Sequence, residues 1–301
     1  MNKSAEQEEV RGYKEKIIDE IFYALGLSRS GVMRRLLGPL FRPPANRLGR
    51  ISASADSEAR CSGITGGARR ILPDLSLKPV VMGAENIPLE GPLLVASNHP
   101  GAYDAIAILS CIPRKDVKVV ISDVGFTRAF SFASPYFIYT PKDIAGRTTA
   151  LRTSIEHLNS GGGLLIFAHG DVEPEPELSP GAGEAIQDWS RSIEIMLRRV
   201  PETWLLVTIA SGVLMPRFMK SPIVKIRRTV PGRQKLAEVL QMSRQMIFPQ
   251  SIQTNLHISF AEPVKGMDLA DDELMPAVIK IARRLLDDHL EFFKIEREFS
   301  F

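Results

Sequence analysis

The run Leu93-Leu94-Val95-Ala96-Ser97-Asn98-His99-Pro100-Gly101-Ala102-Tyr103-Asp104 constrains the fold of this chain more than any other stretch. An apolar tract gives way to polar residues, Pro100-Gly101 blocks its continuation, and an apolar segment of helical composition resumes over residues 105–109. That order reads as strand, tight turn and helix. His99 then stands at the carboxyl end of a buried strand, where open α/β sheets place ligands. The bend brings Asp104, five positions on, back to the imidazole. A carboxylate there fixes the ring's tautomer and stabilises the charge gained with a proton, so the pair reads as a general base and its orienting partner.

The surrounding sequence alternates between the two periods. Residues 80–82, 93–96, 117–122, 164–167, 204–209, 223–226 and 256–259 read as strands, and 102–111, 148–158, 183–199 and 273–293 as helices. Glycines after residue 160 read as a left-handed helix cap. The unbroken apolar run at 204–209 is of the kind parallel sheets contain. The expectation is an α/β fold, a mostly parallel central sheet flanked by helices, over residues 76–301.

Residues 1–75 read as an N-terminal helical segment. A charged amphipathic helix covers 5–27. From Ser30, apolar Val32, Met33, Leu36, Leu37, Leu40 and Phe41 recur among Arg34, Arg35, Arg42 and Arg47. Pro39 is expected to kink this second helix and Pro43-Pro44 to end it, with a third helix over 52–75. The basic amphipathic pattern suits a membrane surface.

Composition narrows the function classes. With 44% hydrophobic and 24% charged residues the chain is ordinary globular protein. A net charge of +3 is too mild for a nucleic-acid footprint, so no nucleic-acid partner is expected. Cys61 and Cys111 lack disulfide or metal spacing, which suits a reducing, cytoplasmic compartment. There is neither a compact apolar leader nor an apolar run of the roughly 18 residues a spanning helix needs. No Gly-x-Ser-x-Gly elbow or P-loop occurs.

Asn98-His99-Pro100-Gly101-Ala102-Tyr103-Asp104, with its lead-in Gly83-Ala84-Glu85-Asn86-Ile87-Pro88-Leu89-Glu90-Gly91-Pro92, resembles the His-x4-Asp signature of the glycerolipid and lysophospholipid acyltransferases. The resemblance implies direct acyl transfer by His99 and Asp104. The co-substrate would be acyl-CoA or acyl carrier protein, the acceptor a lipid hydroxyl, with no acyl-enzyme and no cofactor or metal. It further implies a peripheral enzyme on the inner face of the membrane. Asn98, Gly101, Thr140, Lys142, Arg147, His169 and Gly170 become candidate substrate-binding positions. The pattern departs from the family in its second, third and fourth blocks; in the second and third, Thr140 and Val172 stand where it carries phosphate-binding arginines, so the usual acceptor is unsupported. Two other readings start from the residues themselves. His99, Asp104, His169 and Asp171, with Glu173, could hold the metal of a hydrolase, or the domain could be a noncatalytic lipid-binding module. A basic cluster, Arg217, Lys220, Lys225, Arg227 and Arg228, reads as a solvated face or a phosphate-facing one.

Overall fold

Apolar runs and helix-forming segments alternate along most of the chain, and the backbone follows them. The computed structural model describes residues 3–27, 31–179, 181–249, 251–269 and 273–299. In chain order the elements are α1 (Lys3–Ala24), α2 (Val32–Ile71), β1 (Leu77–Met82), β2 (Leu93–Ser97), α3 (Asp104–Cys111), β3 (Val117–Ser122), β4 (Phe137–Thr140) and α4 (Ile144–Asn159). They continue with β5 (Gly163–Phe167), α5 (Ala182–Ala185), α6 (Ser192–Arg199), β6 (Trp204–Ser211), α7 (Pro216–Met219), α8 (Val230–Ile247), β7 (Thr254–Phe260), β8 (Val264–Lys265) and α9 (Leu274–Phe299).

The strands form one mostly parallel sheet in the order β1-β7-β6-β2-β5-β3-β4, with β8 antiparallel to β6 at its amino end. β7 runs against β6, and β1 runs with β7. Every residue of β2 is buried, and its side chains alternate between two apolar layers. Leu93 and Val95 join Leu165 and Leu206 against α2 and α3, whereas Leu94 and Ala96 join Leu164, Ile166 and Leu205 against α6 and α9. Ile51, Ile64, Ala68, Ile71 and Leu75 belong to the first layer, so α2 and the sheet share one core. No described helix is long and apolar enough to cross a membrane.

The prolines do not end the second helix. Pro39, Pro43 and Pro44 all lie within α2, each removing one backbone hydrogen bond. The helix is held through them by packing on α1, where Ala45 is buried with Tyr13, Ile17, Ile18 and Phe22 and Arg34 pairs with both Asp19 and Glu15. Ser30 and the side chains of Ala24 and Met33 lie outside the described residues. The break comes at Gly63, in the left-handed region at φ 69° with the Lys115 carbonyl packed against it. There the chain reverses. Residues 55 and 67 of a straight helix would stand roughly 18 Å apart, yet a methyl added to Gly67 would lie 2.7 Å from the Ala55 carbonyl oxygen. The helix expected over 52–75 is therefore split between two antiparallel arms.

Three further differences have local causes. Residues 183–199 divide into α5, a 3-10 turn (Ile186–Asp188) and α6, because Trp189 leaves the helix to donate its indole N–H to Glu173 at 3.0 Å. The strand expected at 223–226 is a 3-10 turn (Pro222–Ile226) in which Val224 is buried while Ile223 and Ile226 are exposed. Helix α8 is absent from the sequence reading because much of its buried face is polar: Gln234, Glu238, Gln241 and Gln245.

Candidate active site

β2 ends at Ser97, and the turn that follows carries the candidate chemistry. His99 Nδ1 lies 2.9 Å from Asp104 Oδ2. The same oxygen accepts the Gly101 N–H at 3.0 Å, so one buried carboxylate closes the bend and fixes the ring. The His99 ring stacks on Phe167 from the end of β5, with centroids 4.1 Å apart. A quarter of its side chain stays open, whereas Asp104 is fully buried.

The loop is held from three sides. Asn98 gives its amide to Ala210 of β6, donating at 2.9 Å and accepting at 2.8 Å. Those bonds make Asn98 a brace between β2 and β6. Glu173 accepts the His99 backbone N–H at 2.7 Å and Trp189 on its other oxygen, while its own N–H donates to the His99 carbonyl. From α8, Gln234 donates to the carbonyls of Pro100 and Glu173 at 2.6 and 2.8 Å, and Glu238 accepts the Ala102 N–H at 3.1 Å. Gly101 is required because any side chain there would collide with the Glu238 carboxyl.

Burial pulls the His99 pKa down, but the charge and hydrogen bond of Asp104, followed by Glu238 and Glu173, carry it above the ordinary imidazole value. Glu238 is pushed up to about 8, first by burial and then by the Asp104 charge. Burial also raises Glu173, against the hydrogen bonds from Trp189 and His99. A histidine whose Nδ1 is spent on a carboxylate has Nε2 as its proton-accepting atom.

Beside this turn lies an apolar cavity of about 460 Å³. Ala102, Tyr103 and Ile106 line it from the motif side, Ile51 and Ile71 from α2, and Met242 from α8. Glu238 and Lys235 supply polar wall. A cavity of this size with a mostly apolar lining suits an apolar ligand of several methylenes.

The other sequence candidates separate. Gly170, at φ 87°, and His169 follow β5 directly, and His169 Nδ1 is buried without a hydrogen-bond partner. Thr140 spends its hydroxyl on the Ile121 carbonyl at 2.9 Å. It ends β4, three strands and roughly 14 Å across the sheet from β2. Lys142 and Arg147 are exposed beyond it, and among the described residues no hydrogen bond or ion pair joins the three to the His99 turn. Asp171 is exposed, and among the described residues no three His, Cys, Asp or Glu side chains could hold one metal ion. Glu238 and Gln234 escaped the sequence reading; their only signal is the spacing 234, 238, 241, 245 on one helical face.

Residues 78–201 match the family model described as Acyltransferase. No curated protein matches the chain. Among solved structures, that of the 1-acyl-sn-glycerophosphate (LPA) acyltransferase PlsC from Thermotoga maritima is similar at 15% identity and a TM-score of 0.47, covering 93% of this chain and 96% of its own.

Proposed function

We propose, on the premise that this chain is an acyltransferase through residues 78–201, that it moves an acyl group from a thioester to a lipid hydroxyl with His99 as general base. The observation that carries this reading is the His99–Asp104 pair, joined at 2.9 Å beside the 460 Å³ apolar cavity. His99 Nε2 takes the acceptor's hydroxyl proton as its oxygen attacks the thioester carbonyl. The tetrahedral intermediate then expels the thiolate, which leaves as thiol with the proton held by His99. Asp104 stabilises the imidazolium between these steps.

The donor is acyl-CoA or acyl carrier protein, its chain lying in the cavity. The acceptor is a glycerolipid or related lipid, and no arginine at 140 or 172 holds a phosphate on it. His169 and Gly170 are the acceptor-side positions that remain close to the turn. The enzyme works from the cytoplasmic side, docked on the inner membrane face. Exposed Val32, Leu36 and Leu40, beside Arg35 and Arg42, favour that placement.

Purified protein should release free thiol from an acyl thioester only when a lipid acceptor is present, and the acylated lipid should appear in equal amount. Thiol release that ignores the acceptor would replace transfer with hydrolysis and defeat the reading. Flotation with anionic vesicles that persists unchanged in high salt and without residues 1–50 would defeat the docking.

A further inference from the structure

The open end of the α2 hairpin gathers three guanidinium groups around a depression that acyl transfer at His99 does not use. Arg47 and Arg50 stand about one turn apart on the first arm, and Arg70 ends the second. With Ile51, Ser54 and Asp74 they enclose about 320 Å³. Three cations thus face one carboxylate. Arg70 donates to Asp74 Oδ2 at 3.2 Å, and Arg47 reaches only the Asp74 backbone carbonyl, at 3.4 Å. Among the described residues Arg50 has no hydrogen bond or ion pair. Arg47 Nε is buried with its N–H unpaired.

Helix ends explain part of this. Arg70 lies in the last turn, where a cation suits the carbonyl end of the dipole. Arg47 and Arg50 lie in mid-arm and gain nothing from that end. The half-buried Arg47 guanidinium is held only through its bond to the Asp74 carbonyl, so its buried Nε–H and the whole of exposed Arg50 leave donors unspent. The planar fork of arginine matches phosphate oxygens, and Ser54 adds a hydroxyl.

Topology sets where this depression opens. The hairpin turn at Gly63 packs against Lys115, just ahead of the amino end of β3. Its two arms therefore return to the opposite, carboxyl edge of the parallel strands. The chain then enters β1 at Leu77, paired with Thr254 at the start of β7, which runs against β6. The arginines accordingly share an edge of the sheet with His99. Ile51 lines both their depression and the apolar cavity.

We propose that Arg47, Arg50 and Arg70 form a phosphate-binding site, separate from the His99 turn, for a phosphomonoester group carried by an amphiphile headgroup or by a soluble molecule such as coenzyme A. The assignment stands on binding and is independent of whether His99 transfers acyl groups. It is tested on the full chain by proton–nitrogen NMR of the Arg47 Nε–H during titration with inorganic phosphate, with coenzyme A, and with phosphatidylcholine vesicles with or without phosphatidate. The resonance should move with at least one of these. A response to coenzyme A well below the phosphate concentration needed identifies a soluble carrier; a response confined to phosphatidate vesicles identifies a headgroup. Arg50→Gln or Arg70→Gln should raise the half-saturating concentration about tenfold or more. Arg152→Gln, exposed on α4, should leave it unchanged. An Arg47 signal unmoved by every probe overturns the site. So does equal weakening by Arg152→Gln, which would mean attraction by net charge alone.

Discussion

Two histidine–carboxylate pairs occupy this fold, alike in local geometry and different in surroundings. His99 Nδ1 lies 2.9 Å from Asp104, with its ring stacked on Phe167 at 4.1 Å. His257 Nδ1 lies 2.5 Å from Glu177, with its ring stacked on Phe293 at 4.2 Å. The side chain of His99 is 25% open and that of His257 only 7%. Beside His257, the fully buried His289 spends one ring nitrogen on Ser211 and the other on Ser259, both at 2.7 Å, tying α9 to β6 and β7. A histidine–carboxylate pair is therefore a local device that either chemistry or architecture can use. Access decides which.

The largest effect expected from that distinction is at His99. His99→Ala should lower acyl transfer by roughly 10⁴-fold, the upper end for a general base, with circular dichroism and the unfolding midpoint nearly unchanged. Retained transfer in the folded variant would erase the functional difference between the two pairs.

Asp104→Asn comes next, at roughly 10³-fold. An amide nitrogen facing Nδ1 forces the proton onto Nε2, the atom that must accept one. The pH profile separates this from simple damage. The wild-type base must be neutral, so activity rises with pH through an apparent pKa above the ordinary imidazole value, since Asp104, Glu238 and Glu173 together outweigh burial in setting it. In the asparagine variant the residual activity should rise at lower pH, because the stabilising charge is gone. An unshifted profile would mean that Asp104 only shapes the loop.

Beside the other pair, at His289, the same kind of change should act on stability alone. His289→Leu leaves the buried Ser259 hydroxyl without its partner and the Ser211 hydroxyl with Glu177 alone, which costs roughly 1–3 kcal/mol in total. Denaturant unfolding should record that loss, while kcat per folded molecule stays at the wild-type value. A fall in kcat with unchanged stability would show that the buried network reaches the chemistry.

The sequence disclosed one pair and hid the other for a physical reason. His99 and Asp104 are five residues apart, and Pro100-Gly101 between them announces the bend that joins them. His257 and Glu177 are 80 positions apart, and only sheet formation brings them together. The same rule governs the fold. β2, β5 and β6 declare themselves because both faces are apolar, whereas α8 buries glutamines and a glutamate that hydrophobic periodicity cannot register. Pro43 and Pro44 argued for a helix end on local grounds, and packing of Ala45 against α1 overrode them. Thr140, Lys142 and Arg147 follow from the resemblance to a family motif and not from local pattern, and they lie on or beyond β4, three strands from β2.

Each pair also has a second buried carboxyl nearby, and these give the smallest and sharpest test. Glu238 stands by Asp104 and Glu175 by Glu177; burial first, and the neighbouring carboxylate second, push both up to about 8. Their folded pKa values lie above the unfolded value, so the stability they contribute is complete below about pH 4.5 and is lost as pH rises through about 8. Glutamine keeps the neutral shape, still accepts the Ala102 N–H at Glu238, and has no proton to give up. Glu238→Gln should therefore change stability by about 1 kcal/mol or less in mild acid and flatten its decline toward alkaline pH, as read from urea midpoints across that range, whereas Glu175→Gln, whose NH2 would face backbone N–H groups that both Glu175 oxygens accept, should cost about 1–3 kcal/mol at every pH. Only Glu238 also faces His99, whose pKa its charge helps to raise. Glu238→Gln should thus move the pH–activity profile slightly to lower pH, and Glu175→Gln should leave it in place. Equal movement in both variants would mean that the field at His99 comes from the fold as a whole, and the two regions would no longer be separable by their carboxyls.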